Sequence, residues 1–396
     1  MNDRNHLGNV SMTHEVRIIE NGLLDIPMLA ILDADGTVYP QAKEPEINQQ
    51  LAIKMYHTML YTRMLDERMV AAQRQGRISF YLASTGEEAA VVGSAAALSA
   101  DDMIMSQYRE HGALAFRGYT SAQFMNQMFS NRLDPNKGRQ MPIHYGDKAL
   151  NFMTISSPLG TQIPQAAGYA YGQKLAGNDA LTICYFGEGA ASEGDFHAGL
   201  NMAAVLNCPV IFFCRNNGYA ISTPAEEQFA GDGIASRGIG YGVRTIRVDG
   251  NDPLAVYSAT VKARELALSA SQPVLIEAMT YRLAAHSTSD DPSGYRSKKE
   301  EEKWRLKDPI ERFKVWLLNK GWLKDEETEN YLKEVRSDIL NALKTAEKVP
   351  VNPISDIVED VYSEVPWHLK AQREALLEHI KRYPDKYPKT SGEVGK

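Results

Sequence analysis

Cysteine is scarce in this chain, and its three copies, Cys184, Cys208 and Cys214, all lie in or beside apolar runs that read as buried strands. An odd number cannot pair completely, so a disulfide framework is excluded and reduced core thiols are predicted. A metal site on Cys208 and Cys214 lacks both a paired ligand motif and a neighbouring histidine. No apolar run reaches the roughly 18 residues that a membrane-spanning helix requires. Met1 to Asn21 has neither an apolar core nor an Arg-rich amphipathic pattern, so the expectation is a cytoplasmic protein. Basic charge is not in excess either: 43 Lys and Arg against 50 Asp and Glu leave a net charge of -7. Spread along the chain, these charges give no face for nucleic acid. No internal repeat or low-complexity tract is apparent.

What is present is ordinary globular material, 396 residues with 43% hydrophobic content, enough for one large α/β domain with appended helices. Residues 1–46 are polar and broken by Gly22, Gly36 and Pro40, which predicts an extended arm. From Ile47 to Gln75, Ile53, Tyr56, Met59, Leu60 and Met64 recur at helical spacing, and Gly76 ends the run. Gly86 to Leu98 reads as a small-residue helix that can pack closely. Within 47–300 the pattern then alternates. Helices are expected over Ile163–Ala176, Ala191–Leu206 and Pro253–Ala270, and strands over Leu181–Phe186, Pro209–Cys214, Gly242–Val248 and Val274–Ala278. Strands separated by helices imply right-handed crossovers and a doubly wound, mainly parallel sheet. Ligands then bind beyond the carboxyl ends of the strands, in the loops after Phe186, Cys214 and Ala278. Residues 301–396 form a helical extension on the same domain, opened by Asp308 as N-cap, Pro309 at the first helical position and Glu311 as capping-box partner.

The chemistry starts at Gly187-Glu188-Gly189, directly after one strand, and Asn216-Asn217, directly after the next. A hard divalent cation holding a diphosphate wants oxygen ligands, and magnesium is met by few protein groups. Glu188 and Asn217 supply such a pair. The glycines let backbone approach phosphate, and a helix beginning near Ala190 would aim its positive end there. Taken singly, the same residues read as reverse turns. A dinucleotide loop is disfavoured because Ser192 stands where a third glycine belongs, and Asn216-Asn217 stands where a ribose-binding acid is needed.

The joint arrangement resembles the Gly-Asp-Gly to Asn-Asn signature of thiamine-diphosphate enzymes, with Glu188 in place of Asp. Gly76-Arg77-Ile78-Ser79-Phe80-Tyr81, Gln107-Tyr108-Arg109-Glu110, Gly138-Arg139-Gln140-Met141-Pro142, Ser156-Ser157-Pro158-Leu159 and Cys214 to Ser222 extend the likeness over nearly the whole chain. They resemble alpha subunits of branched-chain 2-oxo acid dehydrogenases. Pyruvate dehydrogenase alpha subunits share the architecture but usually carry Asp in the glycine motif and differ around Ser79-Phe80-Tyr81. A pyruvate or acetoin dehydrogenase subunit, or a non-catalytic assembly subunit of the same fold, are the alternatives.

The resemblance implies the thiamine-diphosphate-binding fold. It also implies oxidative decarboxylation of branched-chain 2-oxo acids such as 3-methyl-2-oxobutanoate, with acyl transfer to a lipoyl group of a transacylase core, and an α2β2 heterotetramer with a beta subunit. It assigns magnesium to the side chains of Glu188 and Asn217 and the carbonyl of Tyr219. The diphosphate falls to Tyr108, Arg109 and Arg215, beside Gly187, Gly189 and Ala190, where guanidinium forks make charge-assisted bonds. Ser157 and Leu159 meet the aminopyrimidine, although a proline-kinked turn packing on the sheet uses the same residues. Ser156, Thr161 and Gln162 resemble a potassium site, and they also fit a helix start capped by Thr161. His286 is assigned to cofactor and catalysis, as the only imidazole where relatives carry a second His at the position of Ala285. Ser287 matches a position that kinases modify in relatives, and Ser287 to Gly294 is polar enough to predict a mobile loop without diphosphate.

Overall fold

The computed structural model describes residues 26–387, together with Glu15, Val16 and Ile18. Seven parallel strands form the central sheet: β1 (Met28–Leu29), β2 (Met103–Met105), β3 (Phe152–Met153), β4 (Thr182–Gly187), β5 (Val210–Asn216), β8 (Arg244–Asp249) and β9 (Val274–Met279). Their spatial order is β1-β8-β9-β5-β4-β2-β3, and a small antiparallel hairpin, β6 (Tyr219–Ala220) with β7 (Thr223–Pro224), follows β5. The doubly wound parallel expectation is borne out.

Alternation along the strands explains why both faces are covered. In β5, Ile211 and Phe213 join the core beneath helices 49–74, 88–96, 253–270 and 309–319, while Val210, Phe212 and Cys214 join the core beneath helices 162–175 and 194–206. Each fully buried Phe contributes roughly 1.5–3 kcal/mol of transfer free energy. Cys184, Cys208 and Cys214 are buried and unpaired, as read.

Part of the N-terminal arm lies outside the described residues. Within the described residues the arm is anchored: Met28 and Leu29 add to the sheet edge beside Arg247 and Val248. Asp252 accounts for this, because its Oδ1 caps helix 253–270 through the amides of Leu254 and Ala255, while its Oδ2 accepts from the amides of Ile31 and Leu32 at 2.6 Å. A buried carboxylate needs several donors, and the arm supplies two of them.

The C-terminal extension begins as expected, with Asp308 Oδ1 accepting from the amides of Ile310 and Glu311. Glu311 returns no capping-box bond. Ile310, Phe313, Trp316, Leu317, Val335, Ile339 and Leu343 enter the same core as helix 49–74. The segment Ala190–Ser192 departs from the sequence reading: it is a short 3-10 turn, Glu193 is extended, and the helix proper starts at Gly194. The positive end of that helix is therefore displaced from Glu188 by one turn, and macrodipole effects fade over that distance.

Candidate functional site

The strands β9, β5, β4 and β2 are neighbours, and parallel pairing brings their carboxyl ends to one edge. The loops that follow carry Thr280–His286, Asn217–Ile221, Glu188–Ala190 and Gln107–Glu110, and together they enclose a cavity of about 490 Å³. Tyr108, Arg109, Ser157, Leu159, Gly187, Glu188, Gly189, Ala190, Arg215, Asn217, Tyr219 and His286 all border it. Ligands of open α/β sheets bind at such an edge.

Glu188 is buried at 1% exposure, and its Oε2 accepts from the Asn217 amide at 3.3 Å. Its Oε1 is buried and has no partner among the described residues. Burial pushes this carboxyl up to about 7, and the charge of Glu87 adds to the effect against the Asn217 amide and Arg215. A carboxylate oxygen without a donor, on a cavity wall beside an Asn side chain, fits a hard divalent cation. The rule that buried polar atoms are satisfied makes the orphaned oxygen informative.

Arg215 sits deeper than the sequence suggests. Its Nε meets Glu110 Oε1 at 2.5 Å and its Nη1 meets Glu87 Oε2 at 2.8 Å, with 2% of the side chain exposed. The fork is thus committed largely to two carboxylates, and its reach toward a diphosphate is correspondingly restricted. Against the cost of burial, the Arg215 guanidinium and bonds from Ser106 and the Tyr108 amide hold the Glu110 carboxyl below its usual range. Two buried carboxylates, Glu87 and Glu110, pair with this one cation, and the buried Glu188 feels its charge without contacting it.

The opposite wall is cationic. Arg109 is 1% exposed and donates to the carbonyls of Ala83 and His286. Arg282 donates to the Ile221 carbonyl at 2.8 Å, and its buried Nε has no partner among the described residues. Among the described residues neither guanidinium has a direct ion pair, so both remain available to an anion. Each also lies 3.3 Å from His286 Nδ1. Guanidinium nitrogens only donate, so Nδ1 must accept and the imidazole proton belongs on Nε2. Burial, followed by Arg109 and Arg282, pushes His286 down to about 4, with Asp290 opposing. The ring is neutral at physiological pH. Asp290 Oδ2 in turn accepts from the His286 amide at 2.7 Å and from the Tyr295 hydroxyl at 2.5 Å, which ties down the loop read as mobile.

At the outer end, Ser157 Oγ lies 2.7 Å from His144 Nε2, whose other nitrogen is 3.1 Å from the Pro142 carbonyl. Phe80, Leu82, Met141, Ile143 and Leu159 make this end apolar. Tyr81, next to Phe80 in the chain, belongs to the core: it is fully buried and donates to Asp66 at 2.8 Å. Gly189 has a packing duty as well, since a Cβ there would sit 2.7 Å from the Ala220 methyl. Its missing side chain lets the β6–β7 hairpin close on the β4 turn.

Ser156, Thr161 and Gln162 lie apart from the main cavity. Ser156 and Gln162 border a void of about 10 Å³, and Gln162 Nε2 donates to the Tyr185 carbonyl at 3.0 Å. Thr161 is already helical and makes no side-chain cap, which removes the capping reading. Ser287 lies outside the cavity lining, with its Oγ accepting from the Ser289 amide at 3.3 Å.

Sequence reasoning missed Glu87, His144 and Arg282, and treated Gln107 only as part of a motif, although its Oε1 accepts from the Gly187 amide at 2.7 Å. Arg282 follows β9 at the same edge and could have been found by that rule. Glu87 resembles any acidic residue in a first helical turn, and nothing local marks it.

A family model described as the dehydrogenase E1 component matches residues 56–355. The chain belongs to the dehydrogenase E1 component family. It is 51% identical over 370 residues to "2-oxoisovalerate dehydrogenase subunit alpha, mitochondrial" of Mus musculus, covering 93% of this chain and 84% of that protein. The protein of the same name from Caenorhabditis elegans is 52% identical, over 92% of this chain and 84% of its own length. "2-Oxoisovalerate dehydrogenase subunit alpha 1, mitochondrial" of Arabidopsis thaliana is 48% identical, over 96% and 81%. The resemblance to branched-chain 2-oxo acid dehydrogenase alpha subunits is thereby borne out over its alternatives. Membership in the E1 family implies thiamine diphosphate as cofactor and, for an alpha-type chain, a beta-subunit partner. The cytoplasmic expectation is corrected, because the names of these E1 relatives place them in mitochondria. Targeting segments are read by receptors and removed, so the composition of a folded domain does not report its compartment.

Proposed function

We propose that this chain is the alpha subunit of a thiamine-diphosphate-dependent branched-chain 2-oxo acid dehydrogenase. It acts with a beta subunit as an α2β2 heterotetramer and passes its acyl product to a lipoyl group of a transacylase core. The observation that carries the reading is an orphaned Glu188 oxygen that faces, across one cavity, two guanidiniums, Arg109 and Arg282, with no ion pair for either among the described residues. A magnesium diphosphate needs both a hard-oxygen side and a cationic side.

Glu188, Asn217 and the Tyr219 carbonyl hold magnesium in this reading. Arg109, Arg282, Tyr108 and the free part of the Arg215 fork hold the diphosphate. Ser157 and Leu159 seat the aminopyrimidine, and Ser156, Thr161 and Gln162 take potassium. Bound thiamine diphosphate supplies the carbanion chemistry. The protein binds, orients and excludes water, with Phe80, Leu82 and Met141 walling the reacting end. His286, neutral with its proton on Nε2, can donate one hydrogen bond there without bringing a second positive charge beside the arginines. The names of the relatives favour 2-oxoisovalerate as substrate.

The test is a tetramer reconstituted with its beta subunit and assayed on 3-methyl-2-oxobutanoate and on pyruvate. A kcat/KM at least ten times higher for the branched acid is expected. Equal or inverted ratios would give the pyruvate-type reading, and tight cofactor binding with no turnover on either acid would give the assembly reading.

A further inference from the structure

Glu87 is fully buried at the start of helix 88–96, outside every motif that marks the site, and its two carboxylate oxygens take different partners. Oε1 accepts from Asn217 Nδ2 at 2.6 Å, and Oε2 pairs with Arg215 Nη1 at 2.8 Å. An ionised carboxylate only accepts, so it fixes which end of the Asn217 amide faces it; a flipped amide would set oxygen against oxygen. Asn217 Oδ1, left to face the other way, takes the Tyr219 amide at 3.2 Å. The Asn217 backbone is held separately by Glu188.

We infer that Glu87 is a positioning residue for the cation and diphosphate site: one carboxylate orients the Asn217 amide oxygen toward the metal and, through its other oxygen, sets the plane of the Arg215 fork. This rests on the magnesium diphosphate reading above. A bidentate bridge of this kind couples the two halves of the ligand's recognition, the cation side and the anion side, through a group that touches neither. Removing the partner that orients a metal ligand typically weakens metal affinity by roughly 10–100-fold.

Glu88 provides the control. It is the adjacent buried carboxylate, but it pairs with Arg63 at 2.8 Å and with the Gly86 amide, away from the cavity. The experiment uses the reconstituted tetramer and titrates Mn2+ in the presence of thiamine diphosphate, with free Mn2+ read by electron paramagnetic resonance and thermal midpoints recorded alongside. Wild type must bind Mn2+ in a cofactor-dependent manner; failure there overturns the underlying site reading instead. Glu87→Gln is expected to weaken Mn2+ by about 10-fold or more, whereas Glu88→Gln lowers the thermal midpoint and leaves Mn2+ affinity within about twofold. Glu87→Asp keeps the buried charge but shortens the reach, so it should fold even if Glu87→Gln does not, and it should still lose cation affinity. Wild-type Mn2+ affinity in folded Glu87→Gln or Glu87→Asp overturns the inference.

Discussion

Arg109 grips His286 twice from one nitrogen: Nη2 donates to the His286 carbonyl and lies 3.3 Å from its Nδ1. The residues are 177 positions apart, and the contact joins the loop after β2 to the loop after β9. It sets the tautomer of the ring and leaves a second arginine, Arg282, on the same nitrogen at 3.3 Å.

Burial first, and then this crowding, make His286 a poor proton acceptor, with a folded value of about 4 against 6.5. Unfolded chain therefore binds more protons than folded chain between those values, so stability present above pH 6.5 is lost as pH falls toward 4. In the cofactor-free tetramer, His286→Gln should flatten part of that loss. Denaturant midpoints measured from pH 7 to pH 4 check this, and an unchanged slope would show that the folded ring keeps its ordinary proton affinity.

Glu188 has the opposite sign. Its folded value of about 7 lies above the ordinary 4.5, so its contribution is fully present below pH 4.5 and is lost as pH rises through 7. That shift corresponds to roughly 3 kcal/mol, an upper bound for a site that hydrates on opening. Glu188→Gln should remove this dependence from the cofactor-free tetramer and abolish magnesium-dependent retention of thiamine diphosphate. Calorimetric titration with the cofactor provides the second measurement; wild-type binding by the variant would mean that Glu188 is not a ligand.

Ser287 adjoins His286 and therefore the two guanidiniums that have no ion pair among the described residues. Ser287→Glu places a carboxylate where it competes with a diphosphate for Arg109 and Arg282 and disturbs the Asp290 contacts. Turnover is expected to fall by about 10-fold or more, with weaker cofactor binding and little change in thermal midpoint, as for a charge-assisted contact worth roughly 1.5–3 kcal/mol. Unchanged turnover and cofactor affinity would refute it.

Gly86 tests the frame beneath the site. Its φ is +100 degrees, in the left-handed region that favours glycine, and a Cβ there would stand 2.3 Å from the Tyr281 carbonyl oxygen. Gly86→Ala must push away the segment that carries Arg282 and His286. A loss of roughly 1–3 kcal/mol in stability is expected, together with weaker cofactor binding. Retention of both in a denaturant and titration series would show that the segment yields freely.

The amino-acid sequence by itself determined the parallel α/β sheet, the pairing of Glu188 with Asn217 and the set of loops that border the cavity. Those features are local: strand patterning and the residues just past each strand end are written in consecutive positions, and the topology of a parallel sheet gathers strand ends on one edge. Only the tertiary structure decided that Arg215 is spent on Glu87 and Glu110, that Arg282 has no ion pair among the described residues, and that His286 is neutral. Charge state and hydrogen-bond partnership depend on what is within a few ångströms in space, and Arg215 meets Glu110 and Glu87, and His286 meets Arg109, across more than a hundred positions of sequence.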